Sequence, residues 1–133
     1  QGSKLHVGNG VMVESSKAVK PWREAVKHAA LETYSTMLRQ AVGVEVVFYL
    51  KRPQGHYGTG RNAAAVKDSA PAHPKAKPDL DKLARSTLDA LSDAGMWNDD
   101  CQVVDLHVLK RYCRRDQAPG ATITIREVWE QEP

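Results

Sequence analysis

Cysteine is scarce. The 133-residue chain has two, Cys101 and Cys113, too few for a disulfide framework and wrongly spaced for zinc. Both read as buried or half-buried thiols in a reducing compartment, and a cytoplasmic location is expected. No apolar run approaches the roughly 20 residues that span a bilayer, so no membrane role is expected. No signal peptide is visible, and the start at Gln1 without methionine reads as a trimmed N-terminus. Aromatics make up only 6%, so ring stacking is at most a minor part of any binding. Internal repeats are absent. What remains is ordinary for one globular domain with a real core, residues 1–133, at 41% hydrophobic and 26% charged. The net charge is only +3, so its distribution matters more than its size.

Residues 4–14, KLHVGNGVMVE, read as a hairpin. Leu5 and Val7 precede a Gly8-Asn9-Gly10 turn, and Val11 and Val13 follow it. Residues 20–40 read as a helix. Pro21 suits its first position, and Trp22, Val26, Ala29, Ala30, Thr33 and Met37 form an apolar stripe. Residues 43–50 read as a strand with Val44, Val46, Phe48 and Leu50 on one face. A second helix is predicted over 79–94. Leu80, Leu83, Ala84, Thr87, Leu88 and Leu91 form its buried face, and Gly95 ends it. Two strands close the chain, over 102–111 and 122–129. The order predicts a small α/β (α+β) domain: a mixed sheet with two main helices packed on it, and a long basic loop before the second helix.

That loop, residues 51–77, lacks periodicity. Lys51, Arg52, Arg61, Lys67, Lys75 and Lys77 face a single acid, Asp68. A connection this long in a small domain is usually functional or disordered. It reads either as a flexible solvated loop or as a basic arm that follows a phosphate backbone. His56, Tyr57 and His73 lie among the cations, where rings can stack on bases or sugars. The candidate DNA contacts are Lys51, Arg52, His56, Tyr57, Arg61, Lys67, Lys75 and Lys77.

Asp79 and Asp81 crowd the predicted start of the second helix, and Asp99 and Asp100 follow just past its end. One reading is structural: Asp79 as N-cap, accepting from a backbone N–H, and Asp81 favoured by the helix dipole. The other is chemical. Hard oxygen donors without cysteine or histidine suit Mg²⁺, with Mn²⁺ as substitute. Carboxylates that hold a cation, beside basic residues that hold a polyanion, are what phosphodiester cleavage needs. The helix spans roughly 24 Å, so spacing alone does not establish that the four acids meet. Arg85 follows Asp81 by one helical turn. It reads either as a cation for transition-state charge or as an i,i+4 partner of Asp81 or Asp89. Lys82 points about 100° away from Asp81.

KPDLDKL, followed by LDAL, by GMWNDDCQVVDLHVLKRY and by a closing strand, resembles the RusA family of Holliday junction resolvases. The resemblance runs from Trp22 to about Trp129. RPQGHYGTGRN and APAHPKAKPD also look like the loop of bacterial and phage members. The resemblance implies a homodimeric, Mg²⁺-dependent endonuclease of DNA recombination and repair that cuts two opposed strands of a four-way junction. It implies Asp79, Asp81 and Asp100 as metal ligands, with Asp99 less suited. The family's type member has a catalytic lysine where this chain has Arg85. Arginine keeps the charge but is a poor proton carrier, so Lys82 is the alternative for a proton transfer. A strand and proline-rich turn usual before QGSK are expected to be missing. Three other readings stand beside the resolvase: a non-catalytic branched-DNA-binding module, a structural protein whose acidic helix start binds a partner, and a less selective Mg²⁺ nuclease.

Overall fold

Alternation along the strands builds one face of the sheet. The computed structural model describes residues 3–7, 11–15, 19–33 and 37–129. In β3 (Ala41–Leu50), Val42, Val44, Val46 and Phe48 are all buried. Its neighbours are β4 (Val103–Tyr112), which runs parallel to it, and β5 (Gly120–Val128), which runs antiparallel. Val44 sits between Leu106 and Ile125, and Val46 between Val108 and Ile123, so these residues share one face. β1 (Ser3–Val7) pairs parallel with β5 and antiparallel with β2 (Val11–Ser15). The mixed sheet therefore has the order β2-β1-β5-β3-β4, with β2 and β4 at its edges. The hairpin expected at residues 4–14 is present as this β1–β2 pair; its Gly8-Asn9-Gly10 turn lies outside the described residues.

Two helices cover the apolar face. α1 (Val19–Thr33) buries Val26, Ala29 and Ala30 completely. α2 (Leu80–Asp93) buries Ala84, Thr87, Ala90 and Leu91, and Leu80, Leu83 and Leu88 pack at its margins. Full burial of one such leucine contributes about 1.5–3 kcal/mol. Thr87 is tolerated in the core because its hydroxyl donates to the Leu83 carbonyl at 2.9 Å. Gly95 ends the second helix at φ +79°, a left-handed conformation that side chains resist.

The first helix is shorter than its apolar stripe predicts. It ends at Thr33, and Met37 lies beyond it, 39% exposed. Leu38 donates its backbone N–H to the Met96 carbonyl at 2.7 Å and bridges Trp97 in parallel. Such a bridge needs extended backbone, which overrides a helical pattern carried through residues 37 and 38. Residues 34–36 and the side chains of Trp22 and Thr33 lie outside the description. Among the described residues, no helix is long and apolar enough to cross a membrane.

Candidate active site

The start of α2 carries Asp79 and Asp81. Asp79 occupies the N-cap position with extended backbone, but its carboxylate makes no capping hydrogen bond. Only its carbonyl joins the helix, accepting from the Leu83 N–H at 3.0 Å. The carboxylate stands 3.5 Å from the Lys82 ammonium, with both side chains well exposed. Asp81 is exposed in the first turn. Arg85 is exposed on the next turn and, among the described residues, makes no ion pair with Asp81 or Asp89. The capping and i,i+4 readings of these side chains therefore do not describe the structure. Two carboxylates and two cations remain at one exposed helix end.

The other end of α2 is built differently. The chain turns at Gly95 and inserts Trp97, which is 1% exposed. The Trp97 indole N–H lies 2.8 Å from the Ser92 hydroxyl oxygen and 3.0 Å from Asp100 Oδ1. The Ser92 hydroxyl also donates to Asp100 Oδ1. Asp99 caps a short helical turn, Asp100–Gln102, by accepting from the Cys101 N–H at 3.0 Å. Gln102 Oε1 accepts from the N–H groups of Asn98 and Asp99, and its Nε2 donates to the Leu38 and Gln40 carbonyls. Backbone and thiol donors from Cys101 hold the Asp99 carboxyl below its ordinary value. The neighbouring Asp99 carboxylate raises the Cys101 thiol.

Asp100 is thus anchored at Ser92, twelve residues along the helix from Leu80. At 1.5 Å per residue this is about 18 Å from the helix start. The structure puts Asp79 and Asp81 at the start of one helix and leaves Asp100 at its far end. Among the described residues, no group of three or more His, Cys, Asp or Glu side chains is arranged to hold a metal ion. Asp79 and Asp81 alone fit a hard cation of the Mg²⁺ type. They offer exposed oxygen donors not tied to the backbone, and such an ion is commonly held by one or two carboxylates with substrate phosphate and water. A three-aspartate site within one chain does not fit.

The basic loop is folded. A short helical turn, Gln54–His56, precedes a bridge between Tyr57 and Val66, and a second turn, Gly60–Asn62, lies within the segment that the bridge closes. Gly58 N–H donates to the Ala65 carbonyl, and Lys67 N–H to that of His56. The Arg52 guanidinium lies 4.1 Å over the Tyr112 ring and donates to the Pro71 carbonyl at 2.8 Å. His56 is half-buried and meets Tyr112 edge-on. Tyr57 is buried under the Arg115 guanidinium, 4.6 Å from its ring centre. Arg52, His56 and Tyr57 therefore hold the loop's shape, and a buried Tyr57 offers no open face to a base. Lys51, Arg61, Lys67, Lys75 and Lys77 are exposed.

Sequence reasoning missed the cations at the end of β4: Lys110, Arg111, Arg114 and Arg115. Lys110 donates to the carbonyls of Ala76 and Pro78, beside Asp79. Its signal was available. Lys110 pairs with Phe48 and so continues the core-facing register of Leu106 and Val108, where an apolar residue is the ordinary choice. On the opposite sheet face, Arg126 pairs with Asp105, and His107 lies 2.9 Å from the same carboxylate. Together with Glu45 and Thr124 they line a groove that none of the candidate residues enters.

The family model described as Endodeoxyribonuclease RusA matches residues 3–126. The crossover junction endodeoxyribonuclease RusA of Escherichia coli (strain K12) is 50% identical over 46 residues, 35% of this chain and 38% of that protein. The crossover junction endodeoxyribonuclease of Enterobacteria phage 82 matches to the same extent. The chain thus covers little more than a third of the length of these relatives. The uncharacterized protein YqaN of Bacillus subtilis (strain 168) is 30% identical over 93 residues, 70% of this chain and 62% of its own.

Proposed function

This chain belongs to the RusA family of endodeoxyribonucleases, and from that premise we propose that it is a Holliday junction resolvase that cuts opposed strands of four-way DNA junctions with Mg²⁺, acting as a homodimer in the cytoplasm. The observation that carries the reading is the pair Asp79 and Asp81 at a helix start, with no capping bond to Asp79, beside a rim of exposed cations.

Asp79 and Asp81 would hold the divalent ion at the helix start. A bound ion of this kind polarises a phosphate oxygen, lowers the pKa of an attacking water and offsets charge in the in-line transition state. Arg85 lies one turn along the helix and meets charge on the phosphate with its planar guanidinium. Lys82 is the cation available for a proton transfer, at 3.5 Å from Asp79. Lys51, Arg61, Lys67, Lys75 and Lys77 contact the DNA backbone, while Arg52, His56 and Tyr57 keep the loop in shape. The third carboxylate comes from the partner subunit's Asp100, because the chain's own Asp100 is anchored at the far end of α2. A two-fold dimer then carries two such sites for two strands of a near-symmetric junction.

One observation favours a second reading. A single chain assembles no three-carboxylate group among its described residues, as expected of a non-catalytic branched-DNA-binding module. Cleavage of a labelled mobile four-way junction in Mg²⁺ or EDTA, with wild type and Asp81→Asn, separates the two. Paired Mg²⁺-dependent nicks that vanish in the variant support the resolvase. Tight junction binding without a cut in any condition supports the module. Linear and flapped DNA offered in the same assay tests for a less selective nuclease.

A further inference from the structure

Lys110 has no part in the roles above, yet its surroundings are specific. Its register with Phe48 places it on the core-facing side of β4. The residue is half-buried, and its stem runs along that face so that the ammonium reaches the exposed surface. The ammonium finds two acceptors, the carbonyl oxygens of Ala76 at 2.6 Å and Pro78 at 2.9 Å. These carbonyls flank Lys77 and lead directly into Asp79. Little else holds that stretch, since residues 75–79 are all exposed and the Asp79 side chain makes no cap bond.

We infer that Lys110 is a positioning residue for the acid pair: its ammonium clamps the backbone of residues 76–78 and so sets where Asp79 and Asp81 present their carboxylates. The inference rests on the reading of that pair as the metal-holding group. It links the end of β4 to the start of α2, two elements far apart in sequence. A methionine at this position keeps the aliphatic stem and loses both bonds. An arginine keeps two donors.

The test compares wild type, Lys110→Met, Lys110→Arg and Asp81→Asn as full chains. Mn²⁺ affinity is read by electron paramagnetic resonance without DNA, amide exchange by mass spectrometry, and stability by urea unfolding. Loss of a group that orients metal ligands typically weakens binding about 10–100-fold. Lys110→Met is expected to weaken Mn²⁺ binding by that amount and to speed exchange over residues 77–82 but not in β3. Lys110→Arg is expected to regain most of the affinity. Wild-type Mn²⁺ affinity in Lys110→Met overturns the inference. So does a loss in both Lys110 variants that only follows a global fall in stability. A wild type that binds no more Mn²⁺ than Asp81→Asn overturns the reading of the site itself, and the role of Lys110 with it; that result is distinct because the fault then appears before Lys110 is changed.

Discussion

The two ends of α2 carry the same chemical group in opposite circumstances. At the start, the Asp79 carboxylate makes no capping bond and, among the described residues, meets only the exposed Lys82 ammonium, and the backbone before the acids is held by Lys110. At the finish, Asp99 caps a helical turn and Asp100 is bound by Trp97 and Ser92. A motif of aspartates therefore does not define a role. What separates the two ends is whether backbone and buried side-chain donors already occupy the carboxylate oxygens. Asp100 is intermediate, since both bonds fall on Oδ1.

The largest expected contrast lies in catalysis. Asp81→Asn should lower junction cleavage roughly a thousandfold, because a metal-held carboxylate supplies several kcal/mol of transition-state stabilisation. Binding of the same junction in EDTA should hold or tighten, as a charge that repels phosphate is removed. A gel-shift beside the cleavage assay reads both. Next is stability at the other end. Trp97→Ala should destabilise the fold by about 3–5 kcal/mol by emptying a core site, measured by urea unfolding. Asp79→Ala should barely move the thermal midpoint, because no capping bond is lost and an exposed ion pair contributes little. Asp99→Ala should lower it. Equal midpoints for the two aspartate variants would erase the contrast.

A smaller effect follows from pH. The folded pKa of Asp99 is depressed, so its contribution is complete above the ordinary aspartate value of 3.8 and fades as pH falls below it towards the lowered value. The gap in stability between wild type and Asp99→Asn should therefore close on acidification within that window. The smallest effect is on Cys101, whose thiol is raised from 9.0 by Asp99. Iodoacetamide should react with it more slowly than with a free thiol at the same pH, and Asp99→Asn should move the pH profile down.

Much of the frame was legible. Period-two alternation located β3, β4 and β5, and helical spacing located α2 from Leu80 to Leu91, because core burial imposes those periods directly. Gly95 marked a left-handed stop. The extent of α1 was not legible, since the bridge between Leu38 and Trp97 is a tertiary contact. Nor was the shape of the basic loop. Arg52 over Tyr112 and Arg115 over Tyr57 are non-local contacts that follow no period, so the packing of these loop residues left no mark in the sequence. The site was half legible. Asp79 and Asp81 lie at one helix start, as two residues of spacing place them, but a helix of fourteen residues keeps Asp100 at its far end. Lys110 breaks the apolar alternation of Leu106 and Val108 and could have been noticed, but its acceptors, the Ala76 and Pro78 carbonyls, are non-local.

The most direct measurement is subunit complementation. Asp81→Asn and Asp100→Asn chains, each inactive alone, are co-expressed and given a labelled four-way junction in Mg²⁺. If the site is shared, mixed dimers hold one fully wild-type site, and about a quarter of wild-type nicking returns, as single rather than paired cuts. If every site lies within one chain, each remains damaged, no nicking returns, and the shared-site account is contradicted.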